Sequence, residues 1–189
     1  MFAKKDQLCR ELRRLQRVHG SAFYFAPTTY ILPNEFKKFQ AELTPHSSSP
    51  AAPSAKHRPK RGGGVWICKP ADLSRGRKIY LLREVDDLAY DCNTVVQRYI
   101  ERPLLIGGYK WDLRVYVLLV GGERLRIFLF KEGLVRFGTQ PYDLADLGNK
   151  FSHLTNSSIN KHSPLLRTVK RVVGDGAKWP FARLWQYLG

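Results

Sequence analysis

The chain has 189 residues, is 43% hydrophobic and carries 32 Lys and Arg against 16 Asp and Glu, a net charge of +16. This is enough apolar material for one ordinary domain core or two small lobes, and no run of about 18 apolar residues is present to cross a membrane as a helix. The charge draws the chain towards a polyanion, which could be nucleic acid, an anionic membrane or an acidic protein tail.

From the N-terminus, charges are mixed through Met1 to Arg14 with no apolar stretch, so no secretory signal is expected. Residues 5–18 read as an amphipathic helix. Leu8, Leu12, Leu15 and Val18 fall at helical spacing with Arg and Lys on the other face, and Gly20 is placed to stop it. The aromatic and β-branched run from Phe23 to Leu32 predicts a short strand or extended segment. Asn34 is placed to cap a second short helix bearing Phe36, Phe39 and Leu43.

Residues 44–64 change character. The run PHSSSPAAPSAKHRPKRGGG is rich in Pro, Ser, Ala, Gly and basic residues, cannot bury a core and reads as a linker. Its basic end, Lys56 to Arg61, could touch a polyanion or simply be solvated. The organisation expected is therefore an N-terminal piece at 1–43, a linker at 44–64 and the remaining lobes at 65–189.

From Val65 the pattern is β-rich. Val65 to Lys69 and Lys78 to Leu82 read as strands flanking a loop, Arg83 to Asp91 as a short helix and Val95 to Ile100 as an apolar strand. Leu113 to Val120 and Leu125 to Phe130 flank Gly121-Gly122, a strong hairpin signal. Trp179 to Leu188 reads as a closing helix. On the strand from Asp112 to Leu119, alternation puts Asp112, Arg114, Tyr116 and Leu118 on one face, extended by Lys110. Such a face is either the wet side of an edge strand or the wall of a polar cleft.

Several chemistries are argued against. Cys9, Cys68 and Cys92 are odd in number, far apart and form no CxxC pair, so neither a disulfide framework nor a zinc site is expected. GxSxG, HExxH, the Walker A loop and GxGxxG are all absent. The remaining candidate cradle is Trp66-Ile67-Cys68-Lys69-Pro70 followed by Ser74-Arg75-Gly76-Arg77-Lys78-Ile79. A Lys at a strand end neutralises phosphate oxygens, and a Gly- and Arg-containing loop can fold over them. Basic loops of this kind also occur without a ligand.

Four blocks then stand in order: WICKPADLSRGRKI, VVQRYIERPLLIGGYKWDLRVYVL, FKEGLVRFGTQPYDL and HLTNSSINK. Their succession resembles the tubulin tyrosine ligase-like family, an ATP-grasp group, and its polyglutamylase branch in particular. The resemblance covers about residues 6–43 and 65–189. It implies an α+β, ATP-grasp-like domain, with mixed and antiparallel sheets flanked by helices. It also implies ATP-dependent ligation of free L-glutamate onto tubulin glutamate side chains, with ATP and Mg²⁺ as cofactors. The acidic tails of tubulin would then be the polyanion that answers the +16 charge.

By position, the resemblance gives Lys69 to the ATP phosphates and Arg75 and Gly76 to the loop covering them. Gln97, Arg98, Tyr99 and Ile100 go to the hinge that holds adenine. Lys110 and Asp112, with Arg114 beside them, face the nucleotide, and Thr155 and Asn156 contact it further on. Arg136 holds the carboxylate of the incoming amino acid, with Ser157 and Lys161 close by. Lys110 and Arg136 are the residues expected to act directly in the reaction.

The sequence departs from the family pattern in three places. Lys78 stands where the loop pattern SRGRGI has its last Gly, Arg98 replaces the Lys of QKYI, and nothing resembles the later LLEVN segment that carries the metal ligands. A truncated ATP-grasp domain with no metal ligands of its own, and with little or no ligase activity, is therefore expected. Rival readings are a glycylase or tyrosine ligase of the same family and a catalytically inactive microtubule-binding module. Nucleic-acid binding lacks any zinc-finger, RRM or basic-zipper signature. The expected setting is the cytoplasm and cytoskeleton, including cilia.

Overall fold

A computed structural model describes residues 4–43, 64–122, 124–174 and 177–189. The expected linker therefore lies outside the described residues except for Gly64. The chain divides into two compact units, Met1–Glu101 and Arg102–Gly189. Every strand pairing among the described residues is antiparallel, and with the helices this makes an α+β protein.

The first unit opens with α1 (Lys5–His19), whose Asp6 and whose Arg17 and His19 match the two ends of the helix dipole. Gly20 ends it at φ +60°, a conformation that favours glycine. The buried residue of α1 is Cys9; Leu8 and Val18, expected on the core face, are exposed. The segment expected to be extended from Phe23 turns first through a 3-10 helix (Gly20–Phe23), and only β1 (Thr29–Leu32) is strand. Helix α2 (Phe36–Leu43) buries Phe39 and Leu43. It begins at Phe36, after Glu35, whose carboxylate accepts the Ile31 amide at 2.8 Å.

Strands β2 (Trp66–Pro70), β3 (Tyr80–Leu82) and β4 (Thr94–Arg98) complete a sheet of order β1-β4-β2-β3. Alternation along β2 turns Trp66 and Cys68 into a core with Leu32, Phe39, Leu43, Leu82 and Val96. Phe39 meets Trp66 edge to face at 5.2 Å. The opposite face of β2 carries Ile67 and Lys69. The helix expected over 83–91 is a single 3-10 turn at Val85–Asp87. The Tyr80 hydroxyl donates to the Ala89 carbonyl and accepts the Ala89 amide, so that backbone is committed to β3 instead of to a helix.

The second unit contains β5 (Leu105–Ile106), β6 (Tyr109–Arg114), β7 (Val117–Val120), β8 (Arg126–Leu129) and β9 (Leu134–Phe137), then α3 (Lys150–His153), α4 (Ser157–Asn160), α5 (Leu166–Val173), β10 (Lys178–Pro180) and α6 (Phe181–Leu188). Its main sheet has the order β10-β9-β6-β5. Ile106, Tyr109, Val135, Phe137, Val169, Val173, Trp179, Phe181 and Leu184 form the core. The closing helix starts at Phe181, because Trp179 and Pro180 pair with β9.

The expected strand Leu113 to Val120 is two strands. Arg114 opposes Leu134 in the main sheet, while the Phe130 amide donates to the Tyr116 carbonyl. Three residues, 131–133, thus face residue 115 alone, an irregularity that breaks the ladder. Gly133 sits there, and a Cβ on it would lie 2.5 Å from the Arg114 carbonyl oxygen and from the Phe181 ring. The hairpin about Gly121-Gly122 forms as expected, but as a separate two-stranded sheet β7–β8. The face shared by Asp112, Arg114, Tyr116 and Leu118 therefore ends at Arg114.

Candidate functional site

In the first unit, the register sets Ile67 opposite Gln97 and Lys69 opposite Val95. Lys69 and Gln97 are then diagonal neighbours on the face turned away from the core. The Lys69 ammonium donates to Gln97 Oε1 at 2.7 Å, and the Gln97 amide donates to Thr29 Oγ1 at 2.9 Å. Both line a cavity of about 430 Å³ with Lys5, Arg13, Thr29 and Tyr30. Arg13 crosses this region to the Glu35 carboxylate, 2.7 and 3.0 Å away, and to the Thr29 carbonyl.

Lys69 is half-buried, and among the described residues no carboxylate pairs with it. Burial pushes its amine below the ordinary lysine value, and the Lys5 charge pushes it the same way. A cation held by one neutral amide and repelled by another cation gains from an entering anion. The donor set therefore fits an anionic group such as a phosphate.

The loop after β2 is a succession of tight turns. The Arg77 amide donates to the Ser74 carbonyl and the Ile79 amide to the Gly76 carbonyl. Arg75, Gly76 and Lys78 have φ of 60°, 78° and 53°. Lys78 thus occupies, as an L-residue, a conformation that glycine adopts without cost. Its ammonium pairs with the exposed Asp91 at 2.6 Å.

Residues 97–100 lie just before the end of the first unit. The Arg98 amide donates to the Thr28 carbonyl and the Tyr99 amide to the Val65 carbonyl. The Arg98 guanidinium stacks over Trp66 at 5.4 Å and approaches Glu101 at 3.8 Å. Tyr99 is buried and Ile100 exposed.

In the second unit, Lys110, Asp112 and Arg114 share the face of β6 opposite the core. Register places Arg136 of β9 directly across from Asp112. Arg136 Nε donates to Asp112 Oδ1 at 2.7 Å and Nη2 donates to Oδ2, a two-pronged pair. Arg136 is 16% exposed and Asp112 38%. The hydrogen bond that Arg136 donates to Asp112 raises the Arg136 pKa further. The residue expected to grip an incoming carboxylate therefore already grips one from its own sheet.

Lys110 Nζ donates to the His153 carbonyl at 2.9 Å, joining β6 to the HLTN segment. The His153 ring is buried, lies 3.0 Å from the Asp146 carbonyl, and has its pKa pushed down by burial. Thr155 is buried, Asn156 precedes α4, Ser157 opens α4, and Lys161 follows it exposed.

Sequence reasoning did not single out Asn160, which organises this segment. Its Oδ1 accepts the Thr139 amide and hydroxyl, and its Nδ2 donates to the Leu154 and Asn156 carbonyls. The available signal was its place in HLTNSSINK, one residue after Ile159, where an Asn needs partners when buried.

The structure thus brings Lys69 to Gln97, Asp112 to Arg136, and Lys110 to the backbone ahead of Thr155. Among the described residues no group of three or more His, Cys, Asp or Glu is placed to hold a metal ion. No protein ligand is assigned to Mg²⁺.

These features define an α+β protein whose two four-stranded sheets each present a partly buried cation on the face away from the core. The chain belongs to the tubulin-tyrosine ligase family, whose model matches residues 1–189. It is 43% identical over 188 residues to the human protein named probable tubulin polyglutamylase TTLL2, covering 99% of this chain and 30% of that protein. It is 38% identical over 191 residues to human tubulin monoglutamylase TTLL4, covering 99% and 15%. To human tubulin polyglutamylase TTLL5 it is 37% identical over 192 residues, covering 99% and 14%. The chain spans less than a third of the length of these relatives.

Proposed function

We propose that this chain is the nucleotide- and amino-acid-handling part of an ATP-grasp ligase that adds glutamate to tubulin glutamate side chains. The observation that carries the reading is Lys69, a half-buried cation without a carboxylate partner among the described residues, in a family whose similar members are named for tubulin glutamylation. ATP supplies the phosphoryl group that converts an acceptor carboxylate to an acyl phosphate, from which phosphate leaves when the amine of free glutamate attacks.

In this reading Lys69 neutralises phosphate oxygens, and Arg75 and Gly76 cover them. Residues Gln97 to Ile100 hold adenine, and Lys110, Asp112, Thr155 and Asn156 complete the nucleotide contacts. Arg136 receives the amino-acid carboxylate, with Ser157 and Lys161 beside it. Such a role requires Arg136 to exchange Asp112 for the ligand. The net charge of +16 favours encounter with acidic tubulin tails at the microtubule, in the cytoplasm or in cilia.

The test is binding of a fluorescent ATP analogue to the 189-residue chain. Lys69→Met should weaken it about 10- to 100-fold, the worth of one charge-assisted contact. Equal binding by both proteins would remove Lys69 from the reading.

The closed Asp112–Arg136 pair favours a second reading, microtubule binding without turnover. Co-sedimentation that vanishes when the acidic tails are cleaved, without ATP-dependent uptake of labelled glutamate, would select it.

A further inference from the structure

The N-terminal helix is fastened to the backbone between Lys69 and the 74–78 loop. Lys5 Nζ donates to the carbonyls of Pro70 at 2.8 Å, Leu73 at 2.5 Å and Ala71 at 3.4 Å. One ammonium has three donors and can satisfy three carbonyls that converge on it. Pro70 ends β2 next to Lys69, and Leu73 precedes Ser74, so the tie spans the whole connection. On the backbone side, Pro70 stands opposite Thr94 at the end of the β2–β4 ladder and the Ala71 amide donates to the Asn93 carbonyl at 2.8 Å. Lys4 reaches the same turn at Asp72, but both side chains are about 60% exposed, 62% and 60%, and such a pair holds little.

We infer that Lys5 is a positioning residue: it fixes the 70–73 turn, and with it the aim of Lys69 and of the 74–78 loop, towards an anionic ligand. The assignment rests on the phosphate reading of Lys69 for its consequence, but the tether itself does not. Three carbonyl dipoles pointing at one cation lock a turn whose later residues, Asp72 and Leu73, lie beyond the β2–β4 ladder. The same cation stands in the Lys69 cavity and opposes the Lys69 charge.

Other groups facing Lys69 leave this effect visible. Cys9 and Arg13 of α1 and Tyr30 of β1 line the same cavity. Burial raises the pKa of the Cys9 thiol and of the Tyr30 hydroxyl, so both stay neutral at pH 7. Arg13 is held by Glu35.

Two measurements on the 189-residue chain test this, with Lys5→Met, Lys5→Arg as conservative rescue and Lys4→Met as control. The first is amide hydrogen exchange over residues 68–78 without nucleotide. Lys5→Met should exchange several-fold faster there, while Lys5→Arg and Lys4→Met stay close to the parent. Unchanged exchange in Lys5→Met overturns the tether, whatever becomes of the ligase reading.

The second is the pH profile of ATP-analogue binding. Affinity should fall as pH rises and Lys69 loses its proton. In Lys5→Met the affinity near pH 7 should be lower by about threefold or more, since a loosened turn misplaces its contacts. The alkaline fall should also move to higher pH, because a neighbouring cation is gone. A merely structural loss would weaken binding without moving that fall, and would overturn the positioning role. Failure of the parent to bind the analogue at any pH would remove the phosphate reading and leave the exchange result standing.

Discussion

Lys69 and Arg136 occupy matching situations in the two units and are treated in opposite ways. Each projects from a strand of a four-stranded antiparallel sheet, on the face away from the core. Lys69 meets a neutral amide and a second cation, Lys5. Arg136 meets a carboxylate in fork geometry. The first is an incomplete electrostatic arrangement that an anion would complete. The second is already complete, so a ligand must compete with Asp112 for it. A charged residue in a recognisable motif therefore does not by itself define an open site; its nearest counter-charge decides.

The contrast is sharpest when polar groups are removed. The largest effect belongs to the closed side. Asn160→Ala should lower stability by about 3 kcal/mol, since it leaves the Thr139 amide and hydroxyl and two carbonyls without their buried partner. Equilibrium denaturation measures this. A loss below about 1 kcal/mol would mean that the 139–160 region rearranges freely.

Next come the two cations, with opposite signs. Asp112→Ala strands a mostly buried guanidinium and should cost about 1–2 kcal/mol, a figure held down by the partial exposure of Asp112. Lys69→Met removes a half-buried cation with no counter-charge among the described residues and should instead raise stability by about 1 kcal/mol while weakening ATP-analogue binding. If Lys69→Met destabilises as much as Asp112→Ala, the two sites are not opposites and Lys69 is a structural residue.

How much was readable beforehand follows the same physical division. Alternation was enough to find β2, β4, the β7–β8 hairpin and the shared face of Lys110, Asp112 and Arg114, because side-chain period is a local property. The resemblance of the four ordered blocks to a known family gave Lys69 and Arg136 their candidate roles. What failed depended on partners distant in sequence. Helix 83–91 gave way to the hold of the Tyr80 hydroxyl on Ala89. The single strand 113–120 broke because three residues return opposite one. The Asp112–Arg136 pair spans 24 positions and is fixed only by the β6–β9 register, so no local pattern announced it.

The smallest effect concerns Lys78, whose departure from glycine was legible but whose consequence was not. Its φ of 53° puts a side chain where glycine is preferred, and its ion pair with Asp91 is largely exposed. Two substitutions separate these. Lys78→Ala removes the pair and keeps the unfavourable backbone, whereas Lys78→Gly removes both. Lys78→Gly should therefore melt above Lys78→Ala, by about 2–4 °C. If Lys78→Ala melts as high, the backbone conformation carries no penalty. The loop would then be held by its turns, Ser74 to Arg77 and Gly76 to Ile79, whichever residue stands at position 78. The loop beside Lys69 would then be preset by its own turns and not strained.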